Sequence, residues 1–240
     1  DLRMSRGLGD VYKRQSSYNV VMIVRSRYPD APKVLLGAHY DHLGLFKADK
    51  GKRHKAADML RGANDNASGT AAVVEIARCL QPYADSFRRD LVVALFGAEE
   101  MGIVGSRHLE RMLRDSAVVV GHMVNLEMLD RLKEDNFRMH LFVDDMDAMK
   151  QISVPNVDSL SVGVVMNNSG ASDHFSFTAM GIPAALFATD DMATLHQATD
   201  TPESLNMEGM ERVVNYIMRN VYALLTAERL PSPNRTQEAR

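Results

Sequence analysis

From Tyr18 onward, short apolar runs rich in β-branched residues alternate with segments whose apolar residues recur at helical spacing. The run KVLLGAH is typical of a buried strand, whereas GTAAVVEIARCL has the period of an amphipathic helix. Such alternation is the pattern of parallel strands joined by helices that cover both faces of a sheet. The sequence therefore predicts an α/β fold of three layers, α/β/α, with a mixed, mostly parallel central sheet.

Length and chain ends suggest how this fold is organised. The chain has 240 residues, which suits one large α/β domain. We expect a single domain over residues 16–230, a non-native or disordered leader over residues 1–15, and a disordered tail over residues 231–240. The chain begins at Asp1 rather than at Met, so we expect its start to be a fragment edge.

Composition excludes several classes of function. The net charge is −3 and no basic block is present, which argues against a nucleic-acid partner. No run approaches the roughly 18 apolar residues of a membrane-spanning helix. Cys79 is the only cysteine, so an internal disulfide framework and a cysteine-rich zinc site are both excluded.

Local signals predict how some elements begin and end. The polar segment Lys47–Arg61 is expected to be a surface loop. The segment SRHLERMLRD predicts a short amphipathic helix with Ser106 as its N-cap, and SDHFSFTAMG predicts a helix closed by Gly181. The segment from Met207 to Leu230 predicts a long C-terminal helix.

Acidic and histidine residues follow several of the predicted strands. His39 follows VLLGA, Glu99 and Glu100 follow VVALFGA, and Glu127 follows MVNL. In parallel α/β sheets the ligand site lies beyond the carboxyl ends of the strands. These side chains are therefore candidates for one shared site.

Two motifs contain candidate ligands with plausible structural alternatives. In GAHYDH, Asp41 is placed to hold the second ring nitrogen of a metal-bound His39, although the alternative is a surface loop rich in His and Asp. In GANDNASG, Asp65 directly precedes the first predicted helix. It is either a helix cap or a carboxylate whose two oxygens serve two cations.

The motif GAEEMG brings two like charges together after an apolar strand. Each of Glu99 and Glu100 raises the pKa of the other unless a cation is near. A divalent metal resolves this conflict if one Glu ligates and its neighbour accepts a proton from water. The alternative is a solvated acidic turn.

The remaining candidates lie in the loop HQATDT, where Asp200 follows His196 by four residues. A loop histidine alone is more often solvated than ligating. Imidazole nitrogen together with carboxylate oxygen suits zinc and, less well, cobalt or manganese. Five such ligands, one of them bridging, suit two ions about 3.5–4 Å apart.

These motifs occur in an order that resembles a known family. LLGAHYDHLG, GANDNASGTAAVVEIAR, LVVALFGAEEMGIVGSRH, NLEM, SDHFSFTAMGIPA and HQATDTPESLN are similar to the motif series of the twenty-eighth family of metallopeptidases. The resemblance covers roughly residues 18–226. That family contains two-zinc aminopeptidases, glutamate-carboxypeptidase-like enzymes and glutaminyl cyclases, and it implies the zinc-exopeptidase, phosphorylase/hydrolase-like fold.

The resemblance also implies roles for individual residues. Asp65 would bridge two zinc ions, Glu99 would be the general base, and Asp41 would support the first histidine. The terminal ligands would be His39 and Glu127 on one ion, and Glu100 and His196 on the other. Asp173 and Asp200 would support the substrate or the ligands. Aspartate is commoner than glutamate at the position of Glu127, so we expect the longer side chain to shift that ion or weaken its binding.

The function implied by the resemblance is that of a zinc-dependent exopeptidase acting on a peptide or aminoacyl substrate. An aminopeptidase that cleaves the N-terminal peptide bond with metal-activated water is favoured. The alternatives are a carboxypeptidase or dipeptidase at the same site, a one-zinc glutaminyl-peptide cyclase, and a metal-dead binding domain. The resemblance slightly favours a secreted or periplasmic location, and the oligomeric state is not predicted.

Overall fold

Nine strands and four α-helices form among the residues that the structure, a computed structural model, describes: 16–45, 59–130, 137–142, 160, 162–166, 172–189 and 194–231. The strands are β1 (Val20–Val24), β2 (Lys33–His39), β3 (Gly44–Leu45), β4 (Met59–Leu60), β5 (Leu91–Phe96), β6 (Val120–Glu127), β7 (Phe137–Phe142), β8 (Val162–Met166) and β9 (Ala184–Thr189). The helices are α1 (Gly69–Leu80), α2 (Val104–Asp115), α3 (His174–Thr178) and α4 (Met207–Thr226). A kinked turn, Ala63–Ser68, precedes α1, and 3₁₀ turns occupy Gln81–Ser86 and Pro202–Ser204.

Seven of these strands form one mixed sheet in the order β1-β5-β2-β6-β9-β7-β8. The central strands β5, β2, β6 and β9 are parallel, whereas β1 pairs with β5 and β7 pairs with β9 in the antiparallel direction. Because the four central strands run the same way, their carboxyl ends lie along one edge. The predicted mixed, mostly parallel sheet is confirmed.

Helices cover both faces of the sheet, which explains the continuous apolar run of β2. Leu36 packs on the face covered by α1 and α4, in a core that includes Ile76 and Ile217. Its neighbour Leu35 points to the other face, beside Phe177 of α3 and other buried side chains. Successive strand residues alternate between faces, so a strand buried on both sides must be apolar throughout. Each such side chain contributes about 1.5–3 kcal/mol of burial.

Two local predictions are corrected and one is confirmed. Helix α2 begins at Val104, so Ser106 lies inside it; the Ser106 hydroxyl instead lies 2.8 Å from that of Ser176, where α2 packs on α3. Gly181 closes helix α3 as predicted: it is left-handed, with φ 77°, its N–H donates to Thr178 O at 2.9 Å, and the N–H of Ile182 donates to Phe177 O at 3.1 Å. Within the predicted loop Lys47–Arg61, strand β4 pairs with β3, while residues 47–58 lie outside the described part.

The long C-terminal helix is confirmed as α4, which ends at Thr226. The predicted leader over residues 1–15 and nearly all of the predicted tail lie outside the described residues. No described helix is both long and apolar enough to cross a membrane.

Candidate metal centre

The carboxyl ends of β2 and β6 bring the first two candidate ligands together. These strands are parallel neighbours, and each ends on a candidate, His39 and Glu127. The Nε2 atom of His39 lies 3.1 Å from Oε1 of Glu127. The Ser172 hydroxyl donates to the other Glu127 oxygen at 2.6 Å, which fixes the orientation of this carboxylate.

The carboxylate of Asp65 lies between two groups of ligands. Its Oδ1 atom is 3.3 Å from Nε2 of His39, and its Oδ2 atom is 3.4 Å from Nε2 of His196. Only 5% of the side chain is exposed, so water competes little for these oxygens. Each oxygen therefore faces a different histidine, which is the arrangement that a bridging ligand requires.

Glu100 and His196 complete the second group. Oε2 of Glu100 lies 3.2 Å from Nε2 of His196, and the His196 side chain is 45% exposed. His196 therefore lies at the open side of the cluster, whereas His39 lies at its buried side.

Hydrogen bonds from neighbouring residues fix the loop that carries Asp65. Asp200 accepts the backbone N–H of Asn64 at 2.7 Å and that of Asp65 at 3.0 Å. Asn66, joined to Asp65 by a cis peptide bond, donates to Leu126 O at 2.9 Å. The Asn66 side-chain oxygen, rather than Asp65, accepts the N–H of Gly69 at the start of α1. The alternative of Asp65 as a helix cap is therefore wrong, and its oxygens remain free for the cluster.

Asp41 connects two of the motifs. The His39 Nδ1 atom lies 3.0 Å from the backbone oxygen of Asp41 and 3.7 Å from its carboxylate. The same carboxylate accepts the backbone N–H groups of Glu99 at 3.0 Å and Glu100 at 3.3 Å. Burial raises the pKa of Asp41, but His39 and these N–H groups outweigh it and the net pKa is lowered. Asp41 thus orients the turn that carries Glu99 and Glu100, as well as the ring of His39.

The electrostatics of the cluster favour a bound cation. Burial alone would lower the pKa of His39, but Glu127, with hydrogen bonds to Asp41 and Asp65, raises it strongly. Burial raises the pKa of Glu99 to about 8, opposed by His39 and reinforced by other acids, chiefly Glu127. Carboxyl groups that retain protons near neutral pH lack sufficient positive charge around them.

Three backbone positions beside the cluster adopt left-handed conformations that non-glycine residues rarely use. They are Ala98 before Glu99 (φ 59°), Met128 after Glu127 (φ 51°), and His196 itself (φ 55°). Strain of this kind concentrates where a side chain must be held in a functional position. The turns therefore aim the candidate ligands at the cluster.

One histidine that sequence reasoning missed also lies in the cluster. The His42 Nδ1 atom is 2.9 Å from Oε1 of Glu100 and 3.7 Å from Oδ2 of Asp65. The signal was present in HYDH, where His42 follows His39 by three residues. Asp173, predicted to support the site, is fully buried, and burial raises its pKa to about 7.

The imidazole and carboxylate donors of the cluster are of the kind that zinc binds in proteins. His39, Asp65 and Glu127 form one group whose ligand atoms lie within 4.8 Å of one another, and His42, Asp65 and Glu100 form another. Two ligands on one tetrahedral zinc at about 2.0–2.1 Å are expected to lie about 3.4 Å apart. The contacts described above, from 2.9 to 3.7 Å, bracket that value. His196 belongs to neither of these groups, but it contacts Asp65 and Glu100 of the second one, so all five predicted ligands lie in one cluster.

Comparison with known proteins finds similarity to a family of peptidases. The model of peptidase family M28 matches residues 19–221. The aminopeptidase YwaD of Bacillus subtilis is 26% identical over an alignment of 243 positions, which covers 94% of this chain and 49% of the relative. A probable zinc metalloprotease of Leptosphaeria maculans is 33% identical over 130 residues, covering 52% of this chain and 28% of the relative.

Solved structures agree on the fold. The zinc aminopeptidase BSAP of Bacillus subtilis superimposes with a TM-score of 0.69 at 23% identity, over 88% of this chain and 51% of that one. The chain thus spans about half the length of the aminopeptidases that it matches.

Proposed function

Because the chain belongs to peptidase family M28, we propose that it is a zinc-dependent exopeptidase that removes the N-terminal residue of a peptide and uses two metal ions. The observation that carries this proposal is the position of Asp65, whose two oxygens face His39 and His196 separately. Zinc is proposed because the donors are imidazole and carboxylate and because matched relatives are named zinc enzymes.

The chain's own residues account for the proton transfers. Bound zinc would supply Lewis acidity that polarises the scissile carbonyl and acidifies the attacking water. Glu99 takes the proton of that water and delivers it to the leaving amine, a role suited to a buried carboxyl group whose proton affinity is raised. Asp41 holds the Glu99 backbone in place during both transfers.

The charge of the cluster favours a substrate with a free amino group. Seven carboxyl groups lie in or beside it, more than two divalent cations would neutralise: Asp41, Asp65, Glu99, Glu100, Glu127, Asp173 and Asp200. Among the described residues, no lysine or arginine forms an ion pair with any of them. A surplus of negative charge attracts the ammonium group of a peptide N-terminus and repels a C-terminal carboxylate.

A substrate whose amino group is blocked tests the aminopeptidase assignment. We expect the purified chain with zinc to hydrolyse leucine p-nitroanilide and to leave N-acetyl-leucine p-nitroanilide intact. Cleavage from the carboxyl end of an N-blocked peptide would instead identify a carboxypeptidase. Lactam formation from an N-terminal glutamine without hydrolysis would identify a cyclase.

Zinc content tests the number of ions. We expect about two zinc ions per chain by elemental analysis and about one in His196→Ala. The matched control is His108→Ala, on α2, which should retain both. A wild-type chain with one ion, or a His196→Ala variant with unchanged zinc, would contradict the two-ion site.

A further inference from the structure

His42 lies close to the second group of ligands but does not belong to the predicted ligand set. Its side chain is 8% exposed, and its Nδ1 atom lies 2.9 Å from Oε1 of Glu100. Neither ring nitrogen meets hydrogen-bond geometry with any described residue, although both are shielded from solvent. A buried imidazole without hydrogen bonds is costly, so a partner for its nitrogen is expected.

The backbone around His42 is shaped to admit its ring. Gly62 has a left-handed conformation with φ 68°, and a Cβ atom there would lie 2.4 Å from Cγ of His42. The same Cβ would lie 2.4 Å from the backbone oxygen of Asp65. Only glycine leaves room for the His42 ring to pack against the loop that carries the bridging carboxylate.

The two histidines of the HYDH motif approach different oxygens of Asp65. His39 approaches Oδ1 at 3.3 Å, and His42 approaches Oδ2 at 3.7 Å. Oε1 of Glu100 faces His42, whereas Oε2 faces His196. His42 therefore contacts one Asp65 oxygen and the carboxylate of Glu100. His39 likewise contacts the other Asp65 oxygen and the carboxylate of Glu127.

We propose that His42 is an additional protein ligand of the second zinc ion, through Nδ1, together with Asp65, Glu100 and His196. This inference rests on the proposed two-zinc site. It makes the second ion richer in imidazole than the first and leaves it less space for water. The chain would then supply four ligands to the second ion and three to the first.

The first test counts coordinated histidines without measuring activity. In the cobalt-substituted protein, each ligating imidazole gives one hyperfine-shifted, exchangeable N–H proton signal. We expect three such signals in the wild type, from His39, His42 and His196, and two in His42→Asn. Two signals in the wild type, with the same two in His42→Asn, would overturn the inference.

Asparagine is chosen because its side-chain amide places an N–H close to the position of Nδ1 but ligates zinc poorly. If His42 only donated a hydrogen bond to Glu100, His42→Asn would bind zinc as the wild type does. As a ligand, its loss should weaken the second zinc at least about 100-fold by competitive chelation, beyond the effect of most outer-sphere partners. Wild-type affinity in His42→Asn would therefore refute ligation.

One control variant and the zinc content of the wild type separate this inference from the function on which it rests. His108→Ala, away from the cluster, should keep all three signals and both affinities. A wild-type chain that binds no zinc at all would overturn the proposed function itself. A wild-type chain that binds two ions but shows only two histidine signals would overturn the role of His42 alone.

Discussion

Buried carboxylates occur at both ends of the central strands, and their surroundings are opposite. At the amino end of β5, Asp90 is completely buried and accepts the backbone N–H of Ser26 at 2.7 Å. Arg25 lies 3.1 Å and Lys33 3.5 Å from the same carboxylate. Burial opposes ionisation of Asp90, but Ser26 and these cations outweigh it and lower its pKa.

At the carboxyl ends of the strands, the acids are surrounded by histidines and by one another. Burial raises the pKa of Glu99 to about 8, the opposite direction to Asp90. A carboxylate whose charge is balanced within the chain stabilises the fold, whereas one lacking a cation indicates a site for an external one. The opposite shifts in pKa therefore distinguish Asp90, whose charge is balanced within the chain, from Glu99, which lacks a cation.

The largest expected effect is the loss of turnover in Glu99→Gln. The amide cannot accept the proton of water, so we expect kcat to fall roughly 1,000-fold, within the range for general-base catalysis. Zinc content and melting temperature should remain close to those of the wild type. The measurement is steady-state hydrolysis of leucine p-nitroanilide.

A matched control for Glu99 is Glu75→Gln, an exposed substitution on α1. We expect its rate to stay within about twofold of the wild type, since exposed ion pairs contribute little. Wild-type turnover in Glu99→Gln would show that Glu99 is not the base.

The second prediction concerns the stability of Asp90→Asn. Loss of this charge leaves Lys33 nearly buried without its counter-ion, and removing one partner of a buried pair costs about 3 kcal/mol. We expect the free energy of unfolding in urea to fall by about this amount, while kcat of the folded variant is unchanged.

Asp85→Asn provides the comparison for Asp90. Asp85 pairs with Arg27, but 84% of its side chain is exposed, so its loss should change stability by less than about 1 kcal/mol. Equal losses in both variants would refute the distinction between buried and exposed pairs.

Sequence patterns predicted most of the fold because strands and helices leave a periodic signal. The run KVLLGAH is buried on both faces in β2, as its continuous apolar character indicates. The start of α2 was wrongly predicted because Ser106 has the chemistry of an N-cap, whereas its hydroxyl serves the packing of α2 on α3. A contact between distant segments leaves no local signal.

In the candidate site too, residues with a local sequence signal were predicted, whereas contacts between distant segments were not. Positions at strand ends predicted His39 and Glu127, because parallel strands place their ends together. His42 was missed although HYDH contains it, because its ring packs against Gly62, which lies twenty residues further along the chain. The link between Asp41 and Glu100 likewise joins two loops that only the folded chain brings together.

A smaller loss of activity is expected in Asp41→Asn. The amide retains one oxygen that can accept a backbone N–H, but its charge is lost and it cannot hold Glu99 and Glu100 equally. We expect kcat/KM to fall about 10–100-fold, as is usual for residues that support metal ligands. An unchanged kcat/KM for leucine p-nitroanilide would show that this support is dispensable.

The smallest effect is the pH dependence of stability in the metal-free protein. The pKa of Glu99 is raised to about 8 and that of Asp173 to about 7, both above the value near 4 of unfolded acids. Between these limits the folded chain binds more protons than the unfolded chain, so the free energy of unfolding falls as pH rises from about 4 to about 8. The raised pKa of His39 acts in the same direction above about pH 6.5.

This decline can be distinguished from the contribution of Asp90 by its pH range. The lowered pKa of Asp90 gives stability that is present above the unfolded pKa near 4 and is lost only as pH falls further. Glu99→Gln should therefore make the decline between pH 4 and 8 shallower in urea titrations, while Asp90→Asn should affect only the acid side. An identical slope in Glu99→Gln and in the wild type would show that Glu99 is not held in a cation-deficient environment, and the contrast between the two ends of the sheet would fail.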